Sequence, residues 1–289
     1  MIAKNFLKNI RLLPSIATRI PAFRFSNERQ APFTTPKVEE LSTNEFISKN
    51  VGVNQFMQKV YKTTGLSILG ALGTSYAVLA MPFSISTMSA VTIAGLVASF
   101  VGLVGASWMK PEYLVISEKL NDKEKLEMVV SRNSLARSVL YGMGVMGLGM
   151  SSAPLFAFVN TINPTILPTA LGLTAAIFGG ASLAAYRMPK DKMLSYGPAL
   201  MGSLLGLIGL QLVGLGASLI VGPNPYSLMM FNASSYISVA LFTAFIAYDT
   251  HVSIKMYEMG QPDQLGMAVQ FLLDFWNLFT SLLHIFSRD

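Results

Sequence analysis

Seven long apolar segments separated by short polar connections constrain this chain more than any other feature of its sequence. Each of the first six is long enough to cross a bilayer, since a spanning helix needs about 20 mainly apolar residues. Charged residues make up only 12% of the chain, roughly half the share in a soluble domain. The sequence therefore predicts an all-α membrane protein with segments near 56–80, 84–108, 134–159, 164–186, 197–221, 228–256 and 263–286.

The connections between these segments alternate in charge. The turns near residues 82, 162 and 223 contain no charged residue, whereas most of the charge lies in the other three connections, 110–132, 187–192 and 251–263. Because lysine and arginine concentrate in inner-side loops, the N-terminus and the charged connections are predicted to lie inside. The basic pI of about 9.4 therefore indicates orientation, and no nucleic-acid partner is expected. We expect connection 110–132 to form a short surface helix.

The first 25 residues have the composition of a mitochondrial targeting segment. They are basic, the first acidic residue is Glu28, and their apolar residues fall on one helical face until Pro14. An amphipathic arm lying on a membrane surface is the alternative. The predicted organisation is a targeting segment at 1–25, a polar linker at 26–54 and a membrane domain at 55–289. If the segment targets mitochondria, the inner side is the matrix.

Small residues on the segments predict close helix packing. The third segment carries Gly142, Gly144, Gly147 and Gly149, and the fifth carries a GxxxG pair at Gly202 and Gly206. Such residues let helices approach each other closely in lipid.

Two aspartates are the strongest functional candidates. Asp274 is the only acidic residue well inside an apolar segment, and Asp249 lies 25 residues earlier, near the end of the sixth segment. An ionisable group at membrane depth is costly and is a functional candidate by default. The sixth and seventh segments are antiparallel across a short turn, so the two side chains are predicted to lie at similar depths. Two carboxyl groups that meet in a low-dielectric site share a proton.

The shared proton would make the pair a proton-sensitive latch whose deprotonated form offers oxygen ligands to a cation such as calcium. Asn277, Thr280 and Ser281 follow on the seventh segment and are candidates to support the pair. The structural alternative is that Asp249 is hydrated near the interface and Asp274 only fixes helix packing.

Several other chemistries have no support in the sequence. The chain has no cysteine, which excludes disulfides and cysteine nucleophiles. His251 and His284 are too few and too far apart to indicate a metal site. No Asp follows a Gly-x-Gly, as it does in intramembrane aspartyl proteases, and no serine–histidine motif is present. We expect neither an enzyme nor a bound cofactor, with calcium as a candidate transported ion.

The residues around the aspartates resemble the Bax inhibitor-1 family. The similar stretches are Ala247–Thr250 and Leu273–Phe279, supported by Phe56–Gly65 and Ala175–Ser182. The resemblance covers about residues 55–286 and implies six helices around a central seventh, with Asp249 and Asp274 as a pH-sensing latch. Together with the targeting segment, it points to the growth-hormone-inducible transmembrane branch of the mitochondrial inner membrane.

That resemblance also implies calcium leak or calcium/proton exchange and links to cristae organisation. Relatives described as calcium leaks often place a charged residue in the second helix, where residues 84–108 of this chain have none. Arg137 is the nearest substitute and a candidate partner of the pair. The alternative function is that of a structural, lipid-contacting subunit of a larger inner-membrane assembly, such as a respiratory complex.

Overall fold

The computed structural model describes residues 43–82, 84–121, 124–189, 193–222 and 225–288. Within them lie seven long helices and one β-hairpin, which confirms the predicted seven-helix bundle. The elements in chain order are α1 (Thr43–Leu79), α2 (Ile85–Trp108), β1 (Glu112–Asn121), β2 (Glu124–Arg132), α3 (Leu135–Ile162), α4 (Ile166–Arg187), α5 (Gly197–Val221), α6 (Pro225–Glu258) and α7 (Gln264–Phe286).

The N-terminal predictions fall mostly on residues 1–42, which lie outside the described residues. The targeting segment and most of the linker therefore stay predictions. Residues 43–54 were assigned to the linker, and this part of the assignment is corrected because α1 already begins at Thr43.

Six of the helices, α2 to α7, are long and apolar enough to cross a membrane. The chain is therefore a multi-pass membrane protein. The helix α1 is less apolar, but it also runs the length of the bundle. Near its start Phe56 packs on Tyr257, with ring centroids 5.5 Å apart, and further along Ser75 donates a hydrogen bond to Gly149 O at 2.8 Å.

The C-terminal helix α7 lies at the centre. In its most apolar stretch 61% of the residues are buried, compared with 11% for α5, the least buried spanning helix. Large apolar side chains of α7 account for this, and Phe271, Leu272, Leu278, Phe279 and Leu283 have no exposed surface. The helices α1, α2, α3, α4 and α6 contact α7, whereas α5 packs mainly on α6. One side of α7 is therefore left open towards α5.

The connection 110–132 is a β-hairpin, so the predicted surface helix was wrong. The strands pair antiparallel from Glu112 opposite Arg132 to Asn121 opposite Glu124. The sequence carries the reason, because β-branched residues favour strands and both strands contain them, Val115 and Ile116 in β1 and Val129 and Val130 in β2. Hydrogen bonds across the hairpin satisfy its backbone outside the helical bundle.

Glycines of α3 hold that helix against α2, as predicted for part of the set. A Cβ atom on Gly144 or Gly147 would collide with the backbone of α2, and one on Gly149 would collide with the backbone of α1. Gly142, Gly202 and Gly206 have nothing within 4 Å of such a Cβ. Close approach therefore occurs at the glycines of α3 that face α2 and α1, and not at the GxxxG pair of α5.

Replacing Gly147 with alanine is expected to lower the free energy of unfolding by about 1–3 kcal/mol, because the added methyl group must push apart two backbones. Gly142→Ala is the matched control on the same helix, and it is expected to change stability by less than about 1 kcal/mol. Thermal unfolding of both variants in the same mild detergent measures the difference. Equal unfolding temperatures for the two variants would contradict the close packing of Gly147 against α2.

Candidate functional site

The two aspartates lie at similar depths on neighbouring antiparallel helices, with Asp274 near the middle of α7. Asp249 precedes the end of α6 at Glu258 by nine residues, or about 14 Å. Asp274 follows the start of α7 at Gln264 by ten residues, or about 15 Å. Both side chains are buried, with 7% and 6% of their surface exposed. The similar depths predicted from the sequence are therefore present in the fold.

The two carboxyl groups interact directly with each other. A hydrogen bond between two carboxyl groups requires a proton on one of them, because ionised carboxylates only accept. Among the described residues, no hydroxyl or N–H group satisfies Asp274 Oδ2, which is fully buried. A proton shared with the neighbouring Asp249 carboxyl group would therefore suit this site.

A cavity of about 1260 Å³ borders both aspartates. It lies between α5, α6 and α7, on the side of α7 that no other helix covers. Its α5 wall is mainly apolar and includes Leu204, Ile208 and Leu212, whereas its α6 wall carries the hydroxyl groups of Ser234, Ser235 and Ser238. We call this cavity the α5–α7 cleft.

The α7 wall of the cleft is mainly polar. Six polar residues spaced by three or four positions line the cleft, five on α7 and one just past its end, and we call them the polar stripe: Gln270, Asp274, Asn277, Ser281, His284 and Arg288. This spacing places them on one face of a helix. The buried apolar residues of α7 occupy the other faces, so the central helix has one polar side and an apolar remainder.

The three residues predicted to support the pair also line the cleft. Asn277 Nδ2 donates to Leu273 O at 2.8 Å, and Ser281 Oγ donates to Asn277 O at 2.7 Å. Thr280 Oγ1 donates to Trp276 O at 2.9 Å. Each of the three thus donates a hydrogen bond within the helix, and its side-chain oxygen keeps lone pairs that can accept hydrogen bonds or contact a cation.

The structure places Arg137 away from the aspartate pair, which corrects its assignment as a supporting residue. Its side chain is fully buried and forms a salt bridge with Asp263, with Nη2 2.6 Å from Oδ2. It also donates to Ala106 O at 2.8 Å and to Asn133 Oδ1 at 2.7 Å. The guanidinium group therefore joins the end of α2, the start of α3 and the residue before α7. Sequence proximity to the second helix was a poor guide to its partner.

Asp263 also caps α7, because its Oδ1 accepts a hydrogen bond from Gly266 N at 2.9 Å. Tyr113 of β1 lies beside this ion pair, and its burial, followed by the Asp263 carboxylate, raises the pKa of its hydroxyl group. Gln264 N lies 3.4 Å from Ser131 Oγ of β2. The start of the central helix is therefore attached to the hairpin.

Sequence reasoning missed the outer part of the polar stripe and the role of Asp263. The signal was present, because Gln270, Asn277 and His284 recur every seven residues, and so do Asp274, Ser281 and Arg288. The opening between α5 and α7 could not be found this way, because it depends on which helices contact α7.

Comparison with known proteins places most of the chain in one family. The sequence profile of the family described as "Inhibitor of apoptosis-promoting Bax1" matches residues 53–289. Human Bax inhibitor 1 is 30% identical over 141 residues, which cover 49% of this chain and 56% of the human protein. The mouse protein is 31% identical over 139 residues, covering 48% and 55%. An uncharacterized membrane protein of Streptococcus pyogenes serotype M1 is 25% identical over 249 residues, covering 84% and 97%. The chain thus matches little more than half the length of the two Bax inhibitor 1 proteins.

Proposed function

Since the chain belongs to the Bax inhibitor-1 family, we propose that it is a proton-sensitive calcium leak or cation/proton exchanger of the mitochondrial inner membrane that works through Asp249 and Asp274. The single observation that carries this proposal is the buried pair itself. Asp274 Oδ2 has no hydrogen-bond partner among the described residues, and both carboxyl groups border the same cavity between α5, α6 and α7. A pair used only for packing has no need of a cavity beside it.

The pair offers a cation a weak site, which suits passage better than storage. Calcium takes six to eight oxygen ligands, and tight sites supply most of them from the protein. Among the described residues no group of three or more acidic or histidine side chains gathers around one point. Two carboxyl groups with the amide and hydroxyl oxygens of Asn277 and Ser281 would leave several positions for water. A weakly held, partly hydrated ion dissociates readily.

The location rests on the N-terminal sequence. Residues 1–25 contain five basic residues and no acidic one, a composition that mitochondrial import favours. In this orientation the charged connections and the start of α7 face the matrix. A fluorescent fusion of the full chain is expected to colocalise with an inner-membrane marker. The same fusion with the first five basic residues changed to glutamine is expected to lose that colocalisation, and retention there would contradict the targeting prediction.

Reconstitution into liposomes that contain a calcium indicator tests the function directly. Wild-type protein is expected to admit calcium faster at about pH 8 than at about pH 6, because loss of the shared proton frees both carboxylates for the ion. The matched control is the double variant Asp249→Asn/Asp274→Asn, which keeps the shape of the site and removes its charge. Equal flux through wild type and this double variant would end the proposal.

A structural role without transport is the second candidate. Arg137 is bound to Asp263, so in the described part of the chain the aspartate pair has no salt-bridge partner that could operate the latch. The exposed apolar faces of α2 and α5 would suit contacts with lipids and other inner-membrane proteins, as in a respiratory complex. Extraction in a mild detergent separates the two functions. A stoichiometric high-mass complex without calcium flux would favour the structural role, whereas a monomer or dimer that conducts calcium would exclude it.

A further inference from the structure

The α5–α7 cleft is polar on one side through most of the membrane, and we propose that it is a water-filled vestibule that opens at Arg288 and leads to the aspartate pair. This inference deepens the proposed function and rests on it for one point, the identity of the ion that moves through the cleft, a hydrated cation. The presence and direction of the water path are properties of the cleft itself and are measured separately from transport.

The length of the polar stripe is the first argument. From Gln270 to its end at Phe286 the helix α7 advances 16 residues, or about 24 Å, and Arg288 follows two residues later. The stripe therefore covers most of the hydrocarbon thickness of about 30 Å. Lipid tails cannot form hydrogen bonds with amide, hydroxyl or imidazole groups, and leaving such groups unpaired in hydrocarbon is costly. Polar residues inside a membrane therefore face protein or water. No helix covers this face of α7, so water is the occupant that fits.

The size and lining of the cleft agree with this occupant. Its volume of about 1260 Å³ would hold on the order of 40 water molecules at their share of liquid volume. The serine hydroxyls of α6 donate within their own helix, as Ser235 does to Phe231 O at 3.0 Å. Their remaining lone pairs can accept hydrogen bonds from water. On the opposite wall, Gln211 is a polar residue among the apolar residues of α5.

The two ends of the cleft differ. At the end nearest the charged connections, the Tyr248 ring packs against the backbone of Gly197, where an added Cβ would lie 2.6 Å from Tyr248 Oη. This contact joins the start of α5 to α6 one residue before Asp249. At the other end Arg288 is exposed and lines the cleft, with Nη2 3.4 Å from Ser235 Oγ. The cleft thus reaches the surface at its Arg288 end, whereas its other end carries a close contact between α5 and α6 beside the pair.

Single cysteines test the vestibule without any background, because the natural chain has none. Leu273→Cys and Asn277→Cys place a thiol in the cleft. Val97→Cys and Leu183→Cys are the matched controls on the lipid-facing sides of α2 and α4, where the native residues are more exposed than Leu273, at 57% and 68% against 37%. The probe is a positively charged, membrane-impermeant methanethiosulfonate reagent. Two cleft positions are used so that a variant that fails to fold leaves the other to decide.

We expect the cleft cysteines to react at least about tenfold faster than the controls, because the reactive thiolate forms in water. In vesicles of known orientation, the fast reaction is expected only when the reagent is added on the side that holds Arg288. Rates equal to those of the lipid-facing controls would show a cleft filled by lipid and would overturn the proposal. Fast reaction from the opposite side alone would overturn the assigned direction.

The charge of Arg288 provides a second readout at the mouth of the cleft. In the Asn277→Cys background, Arg288→Gln is expected to raise the rate of reaction with a cationic reagent about threefold. The rate with an anionic reagent is expected to fall by about the same factor. That size corresponds to one unit charge in water at about 6 Å from the reagent as it passes the mouth of the cleft on its way to the thiol. The ratio of the two rates should therefore shift by about tenfold, whereas Arg288→Lys should leave it unchanged. An unchanged ratio in Arg288→Gln would place the opening elsewhere.

The outcomes of the two proposals are distinguishable. Cleft cysteines that react from the Arg288 side in a protein without calcium flux would remove the proposed transport and leave the vestibule. Calcium flux in a protein whose cleft cysteines stay unreactive would remove the vestibule and leave the proposed transport.

Discussion

Replacing Asp274 with asparagine is expected to abolish the pH dependence of calcium flux while leaving the fold intact. In wild type, the initial rate should rise on the order of tenfold between about pH 6 and about pH 8, because the deprotonated fraction of a site that loses one proton changes by up to tenfold per pH unit. Asparagine has nearly the same shape as aspartate but carries no charge. Asp249 still titrates in the variant, but its single carboxylate is a poor site for a cation, so the rate should be low at both pH values.

Ser281→Ala is the matched control for this experiment. Ser281 belongs to the same polar stripe and lines the same cleft, but its hydroxyl group does not titrate in this range. Its variant should keep the pH dependence even if the absolute rate changes. Asp249→Asn should behave like Asp274→Asn, because either substitution leaves only one carboxyl group in the site. A normal pH profile in both asparagine variants would show that another group senses the proton.

Replacing Arg137 with methionine is expected to produce the largest loss of stability, about 3 kcal/mol. Its guanidinium group is fully buried and donates to Ala106 O, Asn133 Oδ1 and Asp263 Oδ2, at 2.8, 2.7 and 2.6 Å. Breaking a buried ion pair by removing one partner costs about 3–5 kcal/mol. The lower figure applies here because Asp263 keeps 14% of its side-chain surface exposed and retains some hydration. Reversible unfolding in bicelles measures the change.

A double-mutant cycle with Asp263→Asn separates the ion pair from the rest of this effect. Asparagine keeps an oxygen that can cap α7, so Asp263→Asn alone mainly removes the charge. The coupling energy between the two positions is expected to be about 1.5–3 kcal/mol, in the range of hydrogen bonds to charged groups. If Arg137→Met unfolds within about 0.5 kcal/mol of wild type, the three helix ends are held together by other contacts.

The helical segments could be predicted well because each depends on local composition. Segment 197–221 and α5 have the same limits, and 263–286 differs from α7 by one residue. Local composition could not distinguish the hairpin from a surface helix. Over so short a stretch its apolar residues fit both the period of two of a strand and the period of 3.6 of a helix. The first helix begins at Thr43 and not near residue 56 for a similar reason, since a polar helix and a polar linker have similar compositions.

The candidate site was predictable in its two acidic residues and less so in their surroundings. Asp274 stood out because a carboxyl group inside an apolar helix is rare, and the short turn before α7 placed Asp249 nearby. Arg137 was assigned to the wrong partner, since a charge near the end of one helix can reach several neighbours. The partner that it contacts, Asp263, lies 126 residues away.

The sequence by itself determined the membrane class, the number of helices and the two carboxyl groups at mid-membrane depth, because hydropathy and helix length are properties of each segment alone. The tertiary structure decided which groups those residues meet. Six polar residues recur along α7, but they become one wall of a cleft only because α5 packs on α6 and leaves that side open. Contacts between helices depend on the whole packing arrangement, and no single segment encodes it.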